Sequence, residues 1–265
     1  MRVLVTGAAS GIGRATCLRL ARDAQARGGK AQVAAVDVDR AAAGLDSLRT
    51  ELAGLGAEAL LLRGDMGTAD GPARVVGEAV ARFGGLDGLV SNAGVNRPAP
   101  LLAVTVEDWD WLFAVNTRAT WLLAKAAHAA LRDARGAMVI IASMSGSFTH
   151  ANLGAYAPSK AAVIMLSKVL AQEFGRDGIR VNTVSPGMTR TGMTERSYAD
   201  AQVAADRAAL VPLGRVATPD DMANVVAFLL GPDAAYVNGH DLIVDGGVTG
   251  NFLGRLPGLK LIPRG

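Results

Sequence analysis

A lone cysteine, Cys17, is the first limit on what this chain can be. It excludes an internal disulfide framework and any metal cluster built on thiolates. Only three histidines are present, scattered along the chain, so no His-based metal site is expected. No apolar run approaches the ~18 residues of a membrane-spanning helix. No block of about five basic residues appears, and nucleic acid is not an expected partner. Charge is nearly balanced, 27 Lys and Arg against 24 Asp and Glu, for a net +3. The N-terminus enters a strand pattern at once, without a signal-peptide layout, and the cytoplasm is the expected compartment. Aromatic residues are only 5% of the chain, so the core must be built from Ala, Val, Leu and Ile.

What is abundant is glycine: 32 of 265 residues, about 12% against an ordinary ~7%. Short apolar runs alternate with longer helical patterns. The strand candidates are Val3–Thr6, Gln32–Asp37, Ala57–Leu62, Gly88–Ser91, Ala137–Ala142, Arg180–Ser185 and Leu242–Val244. Most are continuously apolar, the mark of strands covered on both faces. Helix patterns fall near 11–26, 40–54, 69–82, 106–132, 154–174, 195–210 and 219–230. Pro72 and Pro219 stand near helix starts, where a missing N–H costs nothing. The alternation predicts an α/β fold with a doubly wound parallel sheet. With no composition break, residues 1–249 are expected as a single domain. The remainder, 250–265, reads as a tail without clear period.

The first strand runs into Gly7-Ala8-Ala9-Ser10-Gly11-Ile12-Gly13, which opens a helix. Gly7 permits the tight turn, Gly11 lets backbone approach a pyrophosphate, and Gly13 allows close helix–sheet packing. The helix N-terminus offers unpaired N–H groups and the positive end of its dipole to the phosphates. Strand before and helix after are the context that a dinucleotide site requires. Asp37 ends the second strand, where a carboxylate accepts from both adenosine ribose hydroxyls and repels a 2′-phosphate; the expected cofactor is NAD. Asp39 is the better capping residue of that turn. Arg14 and Arg40 are nearby cations that would favour a 2′-phosphate. Asp65-Met66 and Asn92-Ala93-Gly94 follow the third and fourth strands, at the ligand-binding edge of such sheets.

Tyr156 and Lys160 lie one helical turn apart, about 6 Å along the axis. A free phenol, with a pKa of ~10, is too weak a base at neutral pH, and a nearby ammonium lowers that value. The fifth strand delivers Ser143 to the same sheet edge. Its hydroxyl can hold a substrate oxygen beside that pair.

Taken together, Thr6-Gly7-x3-Gly11-Ile12-Gly13, Asn92-Ala93-Gly94, Asn116, Ser143, Tyr156-x3-Lys160 and Pro186-Gly187 resemble the short-chain dehydrogenase/reductase family, of the Tyr-x3-Lys type. The match runs from residue 2 to about 247. The resemblance implies a Rossmann-like sheet of seven strands with helices on both faces, and hydride transfer between a nicotinamide and a carbonyl or alcohol carbon. It implies Tyr156 as general acid/base. Lys160 would lower the Tyr pKa and hold the nicotinamide ribose. Ser143 would orient substrate, and Asn116 would hold a water near the lysine. Pro186-Gly187 would face the nicotinamide and Thr191 its carboxamide. At Thr189 only a backbone contact carries over, because the family usually has Val or Ile there. Ser91 replaces the usual first Asn of the Asn-Asn-Ala-Gly motif.

On the substrate side the same resemblance and loop adjacency point to Val95, Asn96, Met144, Ser145, Phe148, His150, Asn152, Met188 and Met193. His150 is a candidate partner for a second substrate oxygen. The expected substrate is a small secondary alcohol or ketone. Thr191–Leu210 would form a lid. Helices 106–132 and 154–174 would pair across a twofold towards a homotetramer, with Arg255–Gly265 supporting the assembly or covering a neighbouring site. The rival readings are an NADPH-dependent oxoacyl or ketone reductase and a non-catalytic dinucleotide-binding regulator. Asp37, and Ser10 where such reductases often carry a base, argue against the first. The intact Ser143, Tyr156, Lys160 and Asn116 argue against the second.

Overall fold

A computed structural model describes residues 1–251 of the chain. Seven parallel strands form one sheet in the order β3-β2-β1-β4-β5-β6-β7. They are β1 (Arg2–Thr6), β2 (Gln32–Asp37), β3 (Glu58–Arg63), β4 (Gly88–Ser91), β5 (Ala137–Ile141), β6 (Arg180–Pro186) and β7 (Asp241–Val244). The helices are α1 (Gly11–Ala26), α2 (Ala42–Gly54), α3 (Gly71–Phe83), α4 (Val106–Phe113), α5 (Ala119–Ala134), α6 (Tyr156–Phe174), α7 (Ala201–Leu210) and α8 (Pro219–Leu230). The expected doubly wound sheet is present. Expectations for 252–265, including that for Arg255–Gly265, lie outside the described residues.

Alternate strand residues feed two cores, because successive side chains point to opposite faces. Leu4, Ala34, Leu89, Met138, Ile140 and Val181 pack with α3, α5 and α6 residues such as Val75, Leu123, Leu131 and Val163. Val3, Val5, Val33, Val90, Val139 and Val184 pack with Cys17 and Leu20 of α1, Leu48 of α2 and Met222 and Val226 of α8. This explains the continuous apolar runs: both faces are covered. Burial pushes the Cys17 thiol up to about 12, which makes it an unreactive core residue.

The long helix expected over 106–132 is not continuous. A π-turn at Ala114–Arg118 separates α4 from α5. Such turns insert an extra residue and are frequent at functional sites. The pattern expected at 195–210 also divides, into a 3₁₀ turn at Glu195–Tyr198 and then α7. Among the described residues, no helix is long and apolar enough to cross a membrane.

Candidate active site

The sheet order reverses direction between β1 and β4, and ligands of open α/β sheets bind outside the carboxyl ends at that point. The glycine turn sits there. Gly7 and Gly11 have φ of +67° and +54°, which only glycine adopts freely. A methyl on Gly13 would stand 2.2 Å from the Gly7 carbonyl oxygen and 2.6 Å from Asn92 Nδ2, so only hydrogen fits. Asn92 does not extend into the open edge. Its Nδ2 donates to the Thr6 and Gly7 carbonyls at 2.9 and 3.1 Å, which clamps the turn to the end of β4. Thr6 Oγ1 accepts from the N–H groups of Asn92 and Ala93, each at 3.0 Å. Ser10 is the N-cap of α1 without a side-chain cap bond, so the first-turn N–H groups of Gly11, Ile12 and Gly13 have no capping side chain.

Asp37 stands where β2 ends. Its carboxylate accepts from Ala9 N at 3.0 Å and Val38 N at 2.9 Å, so it is oriented beside the glycine turn. Arg14 is already engaged: it bonds the Ala9 carbonyl at 3.4 Å, the Gly44 carbonyl at 2.9 Å and Ser47 Oγ at 2.9 Å, and pairs with Glu51. Arg40 is exposed on the turn after β2. Asp65 is exposed and its Oδ1 accepts from Gly67 N at 2.8 Å, whereas the Met66 side chain is buried in the core. Gly187 N donates to the Val244 carbonyl at 2.9 Å, fixing the Pro186-Gly187 turn. Thr189 is buried and its Oγ1 donates to the Gly187 carbonyl at 3.2 Å. Thr191 crosses back to the glycine turn: a methyl on Gly11 would lie 3.6 Å from its Cγ2. The structure thus brings β1, β2, β4 and β6 contributions to one edge.

Beside them stand Ser143 and Tyr156, with the serine hydroxyl near enough to act on the phenol. Lys160 is 4% exposed; its Nζ lies 5.8 Å from the Tyr156 ring centroid and donates to the Ile141 carbonyl at 2.8 Å. Burial pulls the Lys160 ammonium down to about 8. Here the structure departs from the sequence reading. Burial raises the Tyr156 phenol above its ordinary value, and the nearby Ser143 hydroxyl lowers it only partly. The ammonium is spent on Ile141 rather than on the phenol oxygen.

Asn116 occupies the π-turn. Its Oδ1 accepts from Val95 N at 2.9 Å, and its Nδ2 donates to the Val95 carbonyl and to Ser159 Oγ, each at 3.0 Å. Ser159 Oγ in turn donates to the Tyr156 carbonyl at 2.7 Å. Ser91, the departure from the family motif, pairs with Thr120 Oγ1 at 2.9 Å, and Thr120 donates to the Asn116 carbonyl at 3.2 Å. Ser159 and Thr120 are supporting residues that the motifs do not single out; Ser159, inside Tyr-x3-Lys, carries the one local signal. Thr6, the first residue of the glycine motif, takes a bracing role that the motif does not specify.

Of the substrate-side candidates, Ser145 is buried and bonded to Ser143 and His150. Val95 is held by Asn116. Met188 is half-buried and Met193 is 54% exposed. Phe148 is 44% exposed. Asn152 is exposed with φ of +63°.

The family profile described as enoyl-(acyl carrier protein) reductase matches residues 7–249. The chain is a short-chain dehydrogenase/reductase. It is 40% identical over 255 residues to the (3R)-3-hydroxyacyl-CoA dehydrogenase of Mus musculus, covering 92% of this chain and 95% of that one. It is 38% identical to the D-threitol dehydrogenase of Mycolicibacterium smegmatis, with 93% and 92% covered. A short-chain dehydrogenase from Burkholderia cenocepacia, solved in complex with NADP, superposes with a TM-score of 0.84 at 34% identity, covering 94% of this chain and 97% of that one. The family's members are oxidoreductases that bind a nicotinamide dinucleotide.

Proposed function

We propose that this protein interconverts a secondary alcohol and a ketone with NAD(H), using Tyr156 as general acid/base. The observation that carries the reading is the meeting of Ser143, Tyr156 and Lys160 beside the glycine turn, where Gly7, Gly11 and Gly13 leave backbone donors at a helix N-terminus. The relatives named above act, by their names, on hydroxyl-bearing substrates, in keeping with this chemistry.

The residues present fit a dinucleotide. The uncapped first turn of α1, from Ser10 to Gly13, suits its pyrophosphate. Asp37 suits the adenosine ribose, and with Arg14 engaged by Glu51, the 2′-phosphate of NADP has a carboxylate in its way and one fewer cation to meet it. Asp65, Met66 (through its backbone), Gly94, Pro186, Gly187, Thr189 and Thr191 complete the proposed contact edge, with Asn92 bracing the turn. The bound dinucleotide supplies the hydride acceptor or donor. Ser143 Oγ holds the substrate oxygen. Tyr156 Oη takes the hydroxyl proton in oxidation and returns it in reduction. Lys160 contributes a buried ammonium to the phenolate's field and hands protons toward solvent with a water near Asn116. Asn116 fixes Val95 and Ser159 on either side of that path.

The site faces Val95, Ser145, His150, Met188 and Met193, and Thr191–Leu210 forms its lid; α7 buries none of its residues. We further propose a homotetramer whose dimer contact runs along α5 and α6. Trp121, Met165 and Val169 are exposed on that face, beside an open cavity of about 510 Å³ lined by Trp121, His128, Leu166 and Phe174. No nucleic acid or membrane partner enters this reading, and the proposed location is cytoplasmic.

Parallel fluorescence titrations with NADH and NADPH test the cofactor. Tighter NADH binding supports Asp37 as the ribose partner. Tighter NADPH binding overturns it in favour of a reductase on the same scaffold, and binding of neither moves the protein to a non-catalytic role.

A further inference from the structure

The Asp245 carboxylate, just past the end of β7, has no part in the chemistry proposed above. It is half-buried and turned onto its own loop. Its Oδ1 accepts from Gly247 N at 2.8 Å. Its Oδ2 accepts from Thr249 N at 2.8 Å and from Thr249 Oγ1 at 2.6 Å. Burial pushes this carboxyl up, but the bonds from Thr249 and Gly247 outweigh it and hold the group below the usual carboxylate range. The turn 245–249 is thus drawn closed around one anion. Within it, Gly246 and Gly247 have φ of +65° and +91°, a backbone that favours glycine.

Both ends of the proposed lid, 191–210, lead onto this turn. On the entry side, a methyl on Gly187 would stand 2.6 Å from Asp245 Cα and Cβ, so the chain leaving β6 lies directly on Asp245. On the exit side, Leu213 N donates to the Gly246 carbonyl at 3.3 Å. Methyls on Gly246 and Gly247 would stand 2.5 Å from Val211 Cγ1 and 3.2 Å from Pro212 Cγ. The two ends are also joined to each other. Arg190 N donates to the Ala217 carbonyl and Ala217 N to the Met188 carbonyl, each at 2.9 Å. Between the ends, α7 buries none of its residues. A segment with so few buried contacts of its own takes its position from where it is attached.

We infer that Asp245 is a positioning residue: the turn it closes carries both ends of the lid and so sets where the lid stands over the nicotinamide half of the cofactor. The inference rests on the NAD(H) reading above. In that reading the pyrophosphate and the adenosine ribose fall to the glycine turn after β1 and to Asp37 after β2. The nicotinamide half falls to Pro186 and Gly187, and Gly187 is the residue that lies on Asp245. Loosening the turn 245–249 therefore acts on one half of the cofactor and spares the other.

Calorimetric titrations with NADH and with ADP-ribose, which lacks the nicotinamide, test this on the wild type, Asp245→Ala, Thr249→Val and Thr249→Ser. Asp245→Ala should weaken NADH about fivefold or more while ADP-ribose stays within about twofold of the wild type. Thr249→Val, which loses one bond, should show the same split at about threefold, and Thr249→Ser, which keeps the hydroxyl, should match the wild type. Circular dichroism verifies folding, and the two Thr249 variants carry the test if Asp245→Ala does not fold. Equal weakening of both ligands, unchanged affinity for both, or a Thr249→Ser as weak as Thr249→Val would overturn the positioning role and leave the cofactor reading intact. A wild type that binds neither ligand would remove the cofactor reading and this inference together.

Discussion

Lys160 spends its ammonium on the carbonyl of Ile141, 2.8 Å away at the end of β5, and is buried while doing so. Burial lowers its pKa from 10.5 to about 8. In that interval the unfolded chain binds more protons than the folded one, so this lysine makes stability rise with pH from about 8 to 10.5. Below pH 8 the cost of the buried charge is fully felt. Lys160→Met should therefore abolish turnover and yet raise the stability of the dinucleotide-free protein at pH 7, by roughly 1–3 kcal/mol. The advantage should shrink as pH climbs through that window. Thermal denaturation of both proteins at pH 7 and pH 10 measures it; a less stable variant at pH 7 contradicts the assignment.

Tyr156→Phe should reduce turnover by about 10²–10⁴-fold or more, because only the acid/base group is lost. NADH binding should weaken far less. Steady-state kinetics beside a fluorescence titration separate the two, and unchanged turnover would end the role given to Tyr156.

With the Tyr156 phenol raised by burial, the phenolate is scarce at neutral pH. Alcohol oxidation, which consumes the phenolate, should speed up from pH 7 toward pH 10, and ketone reduction should not. Profiles of kcat/KM in both directions test this. An oxidation rate that falls above pH 8 would contradict it.

Asp37→Ser should narrow the preference for NADH over NADPH, since the carboxylate that opposes a 2′-phosphate is gone while Arg40 remains exposed on the same turn. The ratio of the two dissociation constants is the readout. An unaltered ratio would place the discrimination elsewhere.

Thr120→Val should cost more stability than Ser91→Ala. Losing the Ser91 hydroxyl leaves Thr120 still bonded to the Asn116 carbonyl. Losing the Thr120 hydroxyl strands the Ser91 oxygen, which has no other side-chain partner among the described residues, at about 1–3 kcal/mol. Denaturant midpoints rank the variants, and the reverse order would refute the hydrogen-bond chain.

Most of the sheet could be read from the chain because burial on both faces leaves a local mark. Val33, Ala34, Ala35 and Val36 are all fully buried, and all are apolar. The glycine turn was legible for a similar reason, since Gly13 admits no other side chain. The break at Asn116 was not. It depends on Val95 and Ser159, which lie 21 and 43 residues away, while the local pattern from 106 to 132 is that of one helix. The Tyr156 pKa was misread on the same ground. Spacing shows that an ammonium lies one turn away, but burial and the competing Ile141 carbonyl belong to the tertiary structure.

The π-turn has a consequence for chain length. The wide turn closes i→i+5 and so takes up one residue more than an α-turn, and one residue removed from 114–118 would straighten α4 and α5 into a single rod. The phase of α5 would survive, because the surplus is absorbed where it stands. Leu123, Ala127 and Leu131 would stay against the sheet. The loss would fall instead on Asn116 and on its bonds to Val95 and Ser159. A deletion there would therefore spare the core and strip the site.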